Sequence, residues 1–282
     1  MSDHSVYQKE DIRLLLARLD DLCRRAERGE AAVSGYLTPR EGKYAAIHLA
    51  SRIRAGTALL WGGYAEAERT RAVILPDYTE GIADPDTLAA DPVSALRDAG
   101  LEDLAEAIAG AVCLLQIRGS GFRELTHRDY LGSVLGLGLE RDSVGDILIP
   151  DAHSAILFTD ARVGDFLAVA LTKVATDTVK VTRWPEGEAL RGTRRLQPIT
   201  DTVASERLDC VVAALCNLSR EKAQMAVKPG IVELDYEACE ACDTTVDAPA
   251  VISVRGYGKF AVHAFDGTTR KGRIRLVAGK YI

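Results

Sequence analysis

The sequence predicts an α+β fold in which a helical N-terminal part, a mixed middle domain and a small C-terminal domain follow one another. Three patterns carry this prediction. Residues 10–55 hold two amphipathic helical stretches, residues 112–183 alternate short apolar strands with helices, and residues 205–260 open with two short helices and continue as strands. The expected boundaries are 1–56 for the helical part, 57–185 for the middle domain, 186–203 for a linker and 204–282 for the C-terminal domain.

In the first helix, expected over 10–29, Ile12, Leu15, Leu16, Leu19 and Leu22 form one apolar face. Arg24, Arg25 and Arg28 load its C-terminal end, where the helix dipole favours cations. Thr38, Pro39 and Glu41 form a capping box with proline at the first helical position, starting a helix that runs to about Ala55. Thr57–Trp61 and Arg71–Leu75 read as strands joined across Gly62-Gly63. Asp84-Pro85 and Asp91-Pro92 mark a loop, followed by short helices from Val93 and over Leu101–Ala109. A regular series comes next: strand Val112–Arg118, helix Arg128–Leu137, strands Asp146–Pro150 and Ser154–Thr159, helix Ala161–Val174, strand Thr178–Arg183. This βαββαβ order is that of ferredoxin-like, RNA-recognition-like domains. A linker with Arg191, Arg194 and Arg195 follows.

In the C-terminal domain, Leu208, Val211, Val212 and Leu215 are spaced as one helical stripe, with Ser205 as the expected cap. Ser219 caps a second helix whose inner face is Ala223, Ala226 and Val227, and Gly230 ends it. Arg220 and Lys222 then stand on a first turn, beside free backbone N–H groups that favour an anion. Val232 and Leu234 alternate with acids as in a half-buried strand, and Gly256-Tyr257-Gly258 reads as a tight turn with an exposed aromatic. From Arg255 onward there are seven basic residues and one acidic residue, Asp266, in a chain of net charge −6. Basic charge concentrated at one end of an acidic chain points to a polyanion partner at a defined site.

The remaining composition is that of a globular chain of two or three domains: 282 residues, 47% hydrophobic and 27% charged. No apolar run approaches the ~20 residues that span a bilayer. Met1-Ser2-Asp3-His4 does not read as a signal peptide, so a cytoplasmic location is expected. Six scattered cysteines fit a reduced compartment. Cys239-x-x-Cys242 is the one suggestive spacing, but it lacks a second ligand pair, and Cys210 and Cys216 lie about 240° apart around a helix. No metal and no cofactor are expected. Gly119-Ser120-Gly121 follows a strand as in dinucleotide loops, but the sixth position is Glu124, which would repel a pyrophosphate. A turn gathering Arg118, Arg123, His127 and Arg128 at one edge could instead touch RNA phosphate. The middle strands lack the paired aromatics that stack bases, and Phe158 alone reads as packing.

Several motifs together resemble a known family. They are Arg207-Leu208-Asp209, Asn217-x-Ser219-Arg220, Ile252-Ser253-Val254-Arg255-Gly256-x-Gly258-Lys259-Phe260 and Thr269-Arg270-Lys271-Gly272-Arg273. This C-terminal set is similar to the RNA-binding domain of the ribosomal protein S-four type. Upstream, Arg118-Gly119-Ser120-Gly121, Thr126-His127-Arg128-Asp129 and Gly145-Asp146-Ile147 extend the likeness. The chain as a whole resembles the YlmH-like, or photosystem II S-four-domain, proteins. It departs from them at Ala248-Pro249-Ala250 and at Leu234-Asp235.

The resemblance implies an RNA-binding protein that is not an enzyme, acting on ribosomal RNA or tRNA on the large ribosomal subunit, in rescue or quality control of stalled translation. The residues expected to hold RNA are Arg207, Ser219, Arg220, Lys222, Lys228, Arg255, Tyr257, Lys259, Arg270, Lys271, Arg273 and Arg275. Arg220, Lys222, Arg255 and Lys259 are expected to share one phosphate-binding face. Arg273 and Arg275, two apart in an extended strip, are expected on one side with Ile274 on the other. Two readings compete: an RNA-modifying enzyme of pseudouridine-synthase or methyltransferase type with its catalyst in residues 57–185, and a protein-interaction module. Arg207-Leu208-Asp209 also resembles the R-L-D signature of pseudouridine synthases, but it sits inside the RNA-binding helix.

Overall fold

The computed structural model describes residues 3–53, 57–82, 84–185, 190, 196–270 and 272–281. The chain divides into two compact units, Met1–Thr193 and Arg194–Ile282. Both mix helix and sheet, so the α+β class holds.

The first unit begins with α1 (Asp3–Glu27), β1 (Ala32–Leu37), α2 (Pro39–Arg52), β2 (Ala58–Trp61) and β3 (Thr70–Ile74). The strands form an antiparallel sheet in the order β1-β3-β2. Alternation along β3 sends Ala72 and Ile74 toward α1 and α2, where Leu15, Leu19 and Leu49 bury them. Val73 and Leu75 face the other way, toward α3 (Pro85–Ala90), α4 (Pro92–Asp98) and α5 (Glu102–Ala109). The capping box at Thr38 and Glu41 forms as the sequence predicts. The N-terminal part is nevertheless not purely helical. Ala32–Leu37 is a strand that recruits residues 58–74 to its own sheet, so these do not belong to the ferredoxin-like layer. The strand's apolar residues needed β3 as a partner, and that pairing spans some forty residues of chain.

The ferredoxin-like layer follows as β4 (Cys113–Gly119), α6 (His127–Leu135), β5 (Val144–Asp151), β6 (Ser154–Thr159), α7 (Ala161–Ala170), β7 (Lys173–Val174) and β8 (Asp177–Arg183). Its strand order is β5-β6-β4-β8-β7, antiparallel throughout. The helix expected to reach Val174 ends at Ala170, and Lys173–Val174 turns back as a short strand against β8. One face packs Leu115, Ile117 and Leu157 under α6 and α7. Part of the other face is covered by Tyr36 and Tyr64, which close over Leu148, Ile156 and Phe158.

Two groups tie these layers together. Asp146 accepts hydrogen bonds from the Tyr64 hydroxyl at 2.7 Å and from the backbone N–H groups of Glu68 and Arg69 at 2.8 and 3.1 Å. Arg69 is buried and donates to the carbonyls of Val144, Tyr36 and Arg141 at 2.9, 3.2 and 3.1 Å. Gly145 is where the tyrosine passes closest: a Cβ there would lie 2.6 Å from Tyr36 Cε1 and 2.9 Å from Phe158 Cβ.

The second unit contains β9 (Leu196–Val203), α8 (Leu208–Leu215), α9 (Arg220–Val227), β10 (Val232–Leu234), β11 (Glu237–Ala238), β12 (Ala250–Val254), β13 (Gly258–Thr268) and β14 (Ile274–Tyr281). Their sheet order is β11-β10-β12-β13-β14-β9. Residues 196–203, expected as linker, are the edge strand of this sheet and pair with β14 along its whole length. Their alternation is weak because Gln197, Pro198 and Asp201 interrupt it, so register with β14 decides their state. Arg191, Arg194 and Arg195 lie outside the described residues. The expected helical stripes are buried: Leu208, Val211, Val212, Leu215, Ala223, Ala226 and Val227 pack on Ile252, Val254, Phe260 and Leu276.

Two glycines separate steric need from tolerance. Gly145→Ala forces a methyl against Tyr36 and is expected to destabilise the chain by about 1–3 kcal/mol. Gly132→Ala, inside α6 with nothing within 4 Å of its Cβ, is expected to stabilise by roughly 0.5–1 kcal/mol. Urea unfolding of both variants checks the opposite signs.

Candidate nucleic-acid interface

The C-terminal helices begin around one carboxylate. Asp209 stands in the first turn of α8 with its side chain fully buried. Arg207 Nε donates to its Oδ1 at 3.1 Å, Arg220 Nε to its Oδ2 at 3.2 Å, and the Gln224 amide to Oδ2 at 2.8 Å. Burial alone would raise this carboxyl, but the bonds from Arg207, Gln224 and Arg220 overcome it and hold Asp209 well below the usual carboxylate range. Arg207 and Arg220 are thus fixed at the starts of two helices while their outer faces stay partly open to solvent.

The expected cap at Ser205 is not the one used. α8 starts from Arg207, and the carbonyls of Thr244 and Cys242 accept from the N–H groups of Leu208 and Asp209 at 2.8 and 3.1 Å. The segment containing Cys239 and Cys242 therefore closes the start of α8 with its backbone. Cys239 Sγ lies 3.2 Å from the Thr244 hydroxyl, and Cys242 Sγ lies 3.9 Å from the Gln224 carbonyl. Ser219 caps α9, accepting from the N–H of Lys222 at 3.3 Å. Asn217 makes the turn between the helices with φ of 51°, a left-handed conformation that asparagine tolerates well.

Arg273 joins this group from the far end of the sequence. Its Nε donates to the Thr202 hydroxyl at 2.9 Å, and it lines a cavity of about 310 Å³ together with Arg220, Asn217 and Thr202. The strip after it is ordered: Ile274–Tyr281 is β14, held between β13 and β9. Ile274 and Leu276 turn to the core, and Arg275 is exposed with Asp266 Oδ2 3.7 Å away. Arg270 is exposed before the strand, and Lys271 lies outside the described residues.

The other expected residues stand elsewhere. Arg255 and Tyr257 are exposed at the β12–β13 turn, where the Tyr257 N–H donates to the Val254 carbonyl at 2.9 Å. Lys259 follows that turn on β13. Because Phe260 points to the helix-covered core, Lys259 faces the opposite side of the sheet, with the Tyr236 and Tyr281 rings each 5.0 Å from its ammonium. Lys222 is exposed on the first turn of α9, and Lys228 sits at the other end of that helix, roughly 9 Å further along the axis. So Arg207, Ser219, Arg220 and Arg273 come together, whereas Arg220 and Lys259 lie on opposite sides of the sheet and do not share a face. Sequence reasoning missed Gln224 and Thr202 as positioning residues. It placed Asp209 in a motif but gave it no partners, although one carboxylate in an otherwise apolar helix is a signal that partners must exist.

The glycine loop of the first unit is anchored to a carboxylate of its own. Ser120 N–H donates to Asp177 Oδ2 at 3.0 Å and its hydroxyl bonds Oδ1. A Cβ on Gly119 would lie 2.7 Å from the same carboxylate. The N–H group that a phosphate would use is occupied. Phe158 is fully buried against Tyr64, as its reading as a packing residue requires.

Residues 111–188 match a family model described as "Putative RNA-binding domain in YlmH". Over this segment the chain is similar to YlmH proteins. It is 28% identical over 215 residues to "Ribosome-associated protein quality control protein P2" of Bacillus subtilis (strain 168), covering 76% of this chain and 74% of the relative. A solved structure, "Cell division protein ylmH from Streptococcus pneumoniae", aligns with 66% of this chain and 93% of its own at 16% identity and a TM-score of 0.44. The matched segment is the ferredoxin-like layer, β4 to β8. The RNA-binding description thus falls on residues 111–188, which hold the Arg118–Arg128 turn read from the sequence as able to touch RNA phosphate, whereas the main expected RNA-binding set begins at Arg207.

The Asp209 contacts have a pH signature. A carboxyl held below its unfolded value contributes stability that is complete above about pH 4 and is lost as pH falls through the lowered folded value. Asp209→Asn is expected to be less stable than the parent at neutral pH, with the gap narrowing steadily below about pH 4. Chemical denaturation at a series of pH values checks this; a gap constant with pH would assign the effect to packing instead of charge.

Proposed function

We propose that this YlmH-like chain is a cytoplasmic, non-catalytic RNA-binding protein. In this reading it holds structured RNA, ribosomal RNA or tRNA on the large ribosomal subunit, in the rescue or quality control of stalled translation. The observation that carries the proposal is the set of three guanidinium groups at the start of the C-terminal helices. Arg207 and Arg220 are oriented by a buried carboxylate, and Arg273 by Thr202, before any ligand arrives. Side chains already ordered lose less entropy on binding, and arginine forks suit phosphate oxygens. The capped first turn of α9 adds backbone N–H groups of the kind that attract anions. The likeness of the C-terminal motifs to the S-four-type domain, the RNA-binding family match upstream and the printed name of the Bacillus subtilis relative all support this reading.

The competing enzymatic reading places its catalyst in residues 57–185, and Arg207-Leu208-Asp209 only resembles a pseudouridine-synthase signature. Here the Asp209 carboxylate is buried and engaged by three side chains, so it has a positioning task and presents no oxygen to a substrate. Nor does the Gly119-Ser120-Gly121 loop favour a nucleotide, since Asp177 already takes its donors.

Crosslinking in cells followed by sequencing of the bound RNA is expected to enrich large-subunit ribosomal RNA or tRNA. In vitro, Arg220→Ala together with Lys222→Ala should weaken RNA binding and lower the slope of log affinity against log salt by about one for each phosphate no longer neutralised. Unchanged affinity at low salt would remove these helix starts from the interface.

A further inference from the structure

RNA-recognition folds stack unpaired bases on aromatic side chains of the open sheet face. In this chain that face is partly closed. Phe158 is fully buried with the Tyr64 ring 4.9 Å away, and Tyr36 covers the same patch. Toward the β8 side of the same sheet, exposed Arg118 of β4 is directly opposite exposed Lys180 of β8. Ile117, Val179 and Val181 point into the helix-side core, so alternation puts both cations on the open face. Like charges directly opposite on paired strands repel each other. Among the described residues neither has an ion-pair or hydrogen-bond partner for its side chain. An anion seated between them would remove the repulsion.

β4 runs directly into the loop 120–126, which is anchored along its length. Ser120 bonds Asp177, and the Leu125 N–H donates to the Ala152 carbonyl at 2.8 Å with the Leu125 side chain buried. His153 Nδ1 lies 2.9 Å from the Arg123 carbonyl, and Arg123 donates to the Thr176 hydroxyl at 3.0 Å. From this loop Phe122 stands out 96% exposed. A single exposed apolar side chain means little by itself. This one is an aromatic ring on a braced loop, four residues from an uncompensated cation pair, inside the segment that matches an RNA-binding family.

We propose that Phe122 is a stacking platform for an unpaired RNA base, with Arg118 and Lys180 holding a neighbouring phosphate. The inference rests on the RNA-binding reading above and gives the first unit its own ligand, a single-stranded segment, distinct from the structured RNA assigned to the second. Glu124, exposed on the same loop, repels phosphate from the tip and leaves the ring to a base. Losing one stacked aromatic lowers single-strand affinity by roughly 5- to 150-fold.

The test uses the full chain with two probes, a short labelled oligouridylate and a blunt-ended RNA duplex. Phe122→Ala is expected to weaken oligouridylate binding about tenfold or more, with Phe122→Tyr restoring it and Phe122→Leu failing to. Arg118→Gln with Lys180→Gln should weaken the same probe and flatten its salt dependence. Duplex binding should be unchanged in all of these and should fall instead in Arg207→Lys with Arg220→Ala. Wild-type chain that binds duplex but not oligouridylate overturns this inference alone, as does full oligouridylate affinity in Phe122→Ala. Full rescue by leucine overturns it too, as would Phe122 being needed only to retain a protein partner. Wild-type chain that binds neither RNA takes the functional reading down with it.

Discussion

A carboxylate with no exposure to water sets the geometry of the C-terminal helices. An isolated charge at the Asp209 position would be expensive, and the surrounding side chains are those that make it tolerable. Two guanidinium groups and one amide reach it from three points: Arg207 before α8, and Arg220 and Gln224 on α9. The same cluster therefore does two things. It fixes the crossing of the two helices, and it places two cations at their starts. The N–H groups of α8 that a phosphate would otherwise meet are already taken by the carbonyls of Cys242 and Thr244. At this end of the unit the side chains, more than the backbone of α8, are what an anion would meet.

The first unit works under a different constraint, the close approach of Tyr36 to the ferredoxin-like sheet. Gly145 leaves room for the ring, Arg69 gathers three carbonyls beneath it, and Asp146 holds the 64–69 segment that brings Tyr64 over Phe158. A sheet with RNA-recognition topology is thereby half closed by residues from an earlier part of the same chain. Closure explains why Phe158 belongs to the core although it sits where related architectures expose aromatics. It also confines the polar, charged part of that face to the β4–β8 side, next to the anchored loop.

Much of this chain could be read locally. The helical stripes of α8 and α9, the capping box at Thr38, the turn at Gly256-Tyr257-Gly258 and the βαββαβ order of residues 113–183 all follow from spacing and turn chemistry. These signals are short-range, set within one or two turns of helix or one hairpin. The concentration of basic residues toward the C-terminus was equally plain from composition.

Three features were decided only in three dimensions. Ala32–Leu37 and Leu196–Val203 became strands because distant partners, β3 and β14, supplied their hydrogen bonds. The basic residues separated because strand alternation turned Lys259 away from the helices while Thr202 drew Arg273 toward Arg220. Gln224 met Asp209 across fifteen residues. By itself the sequence determined which residues carry charge and which segments are amphipathic. Which cations share a site depended on long-range register and on the need of one buried carboxylate for partners, and neither has a period that can be read along the chain.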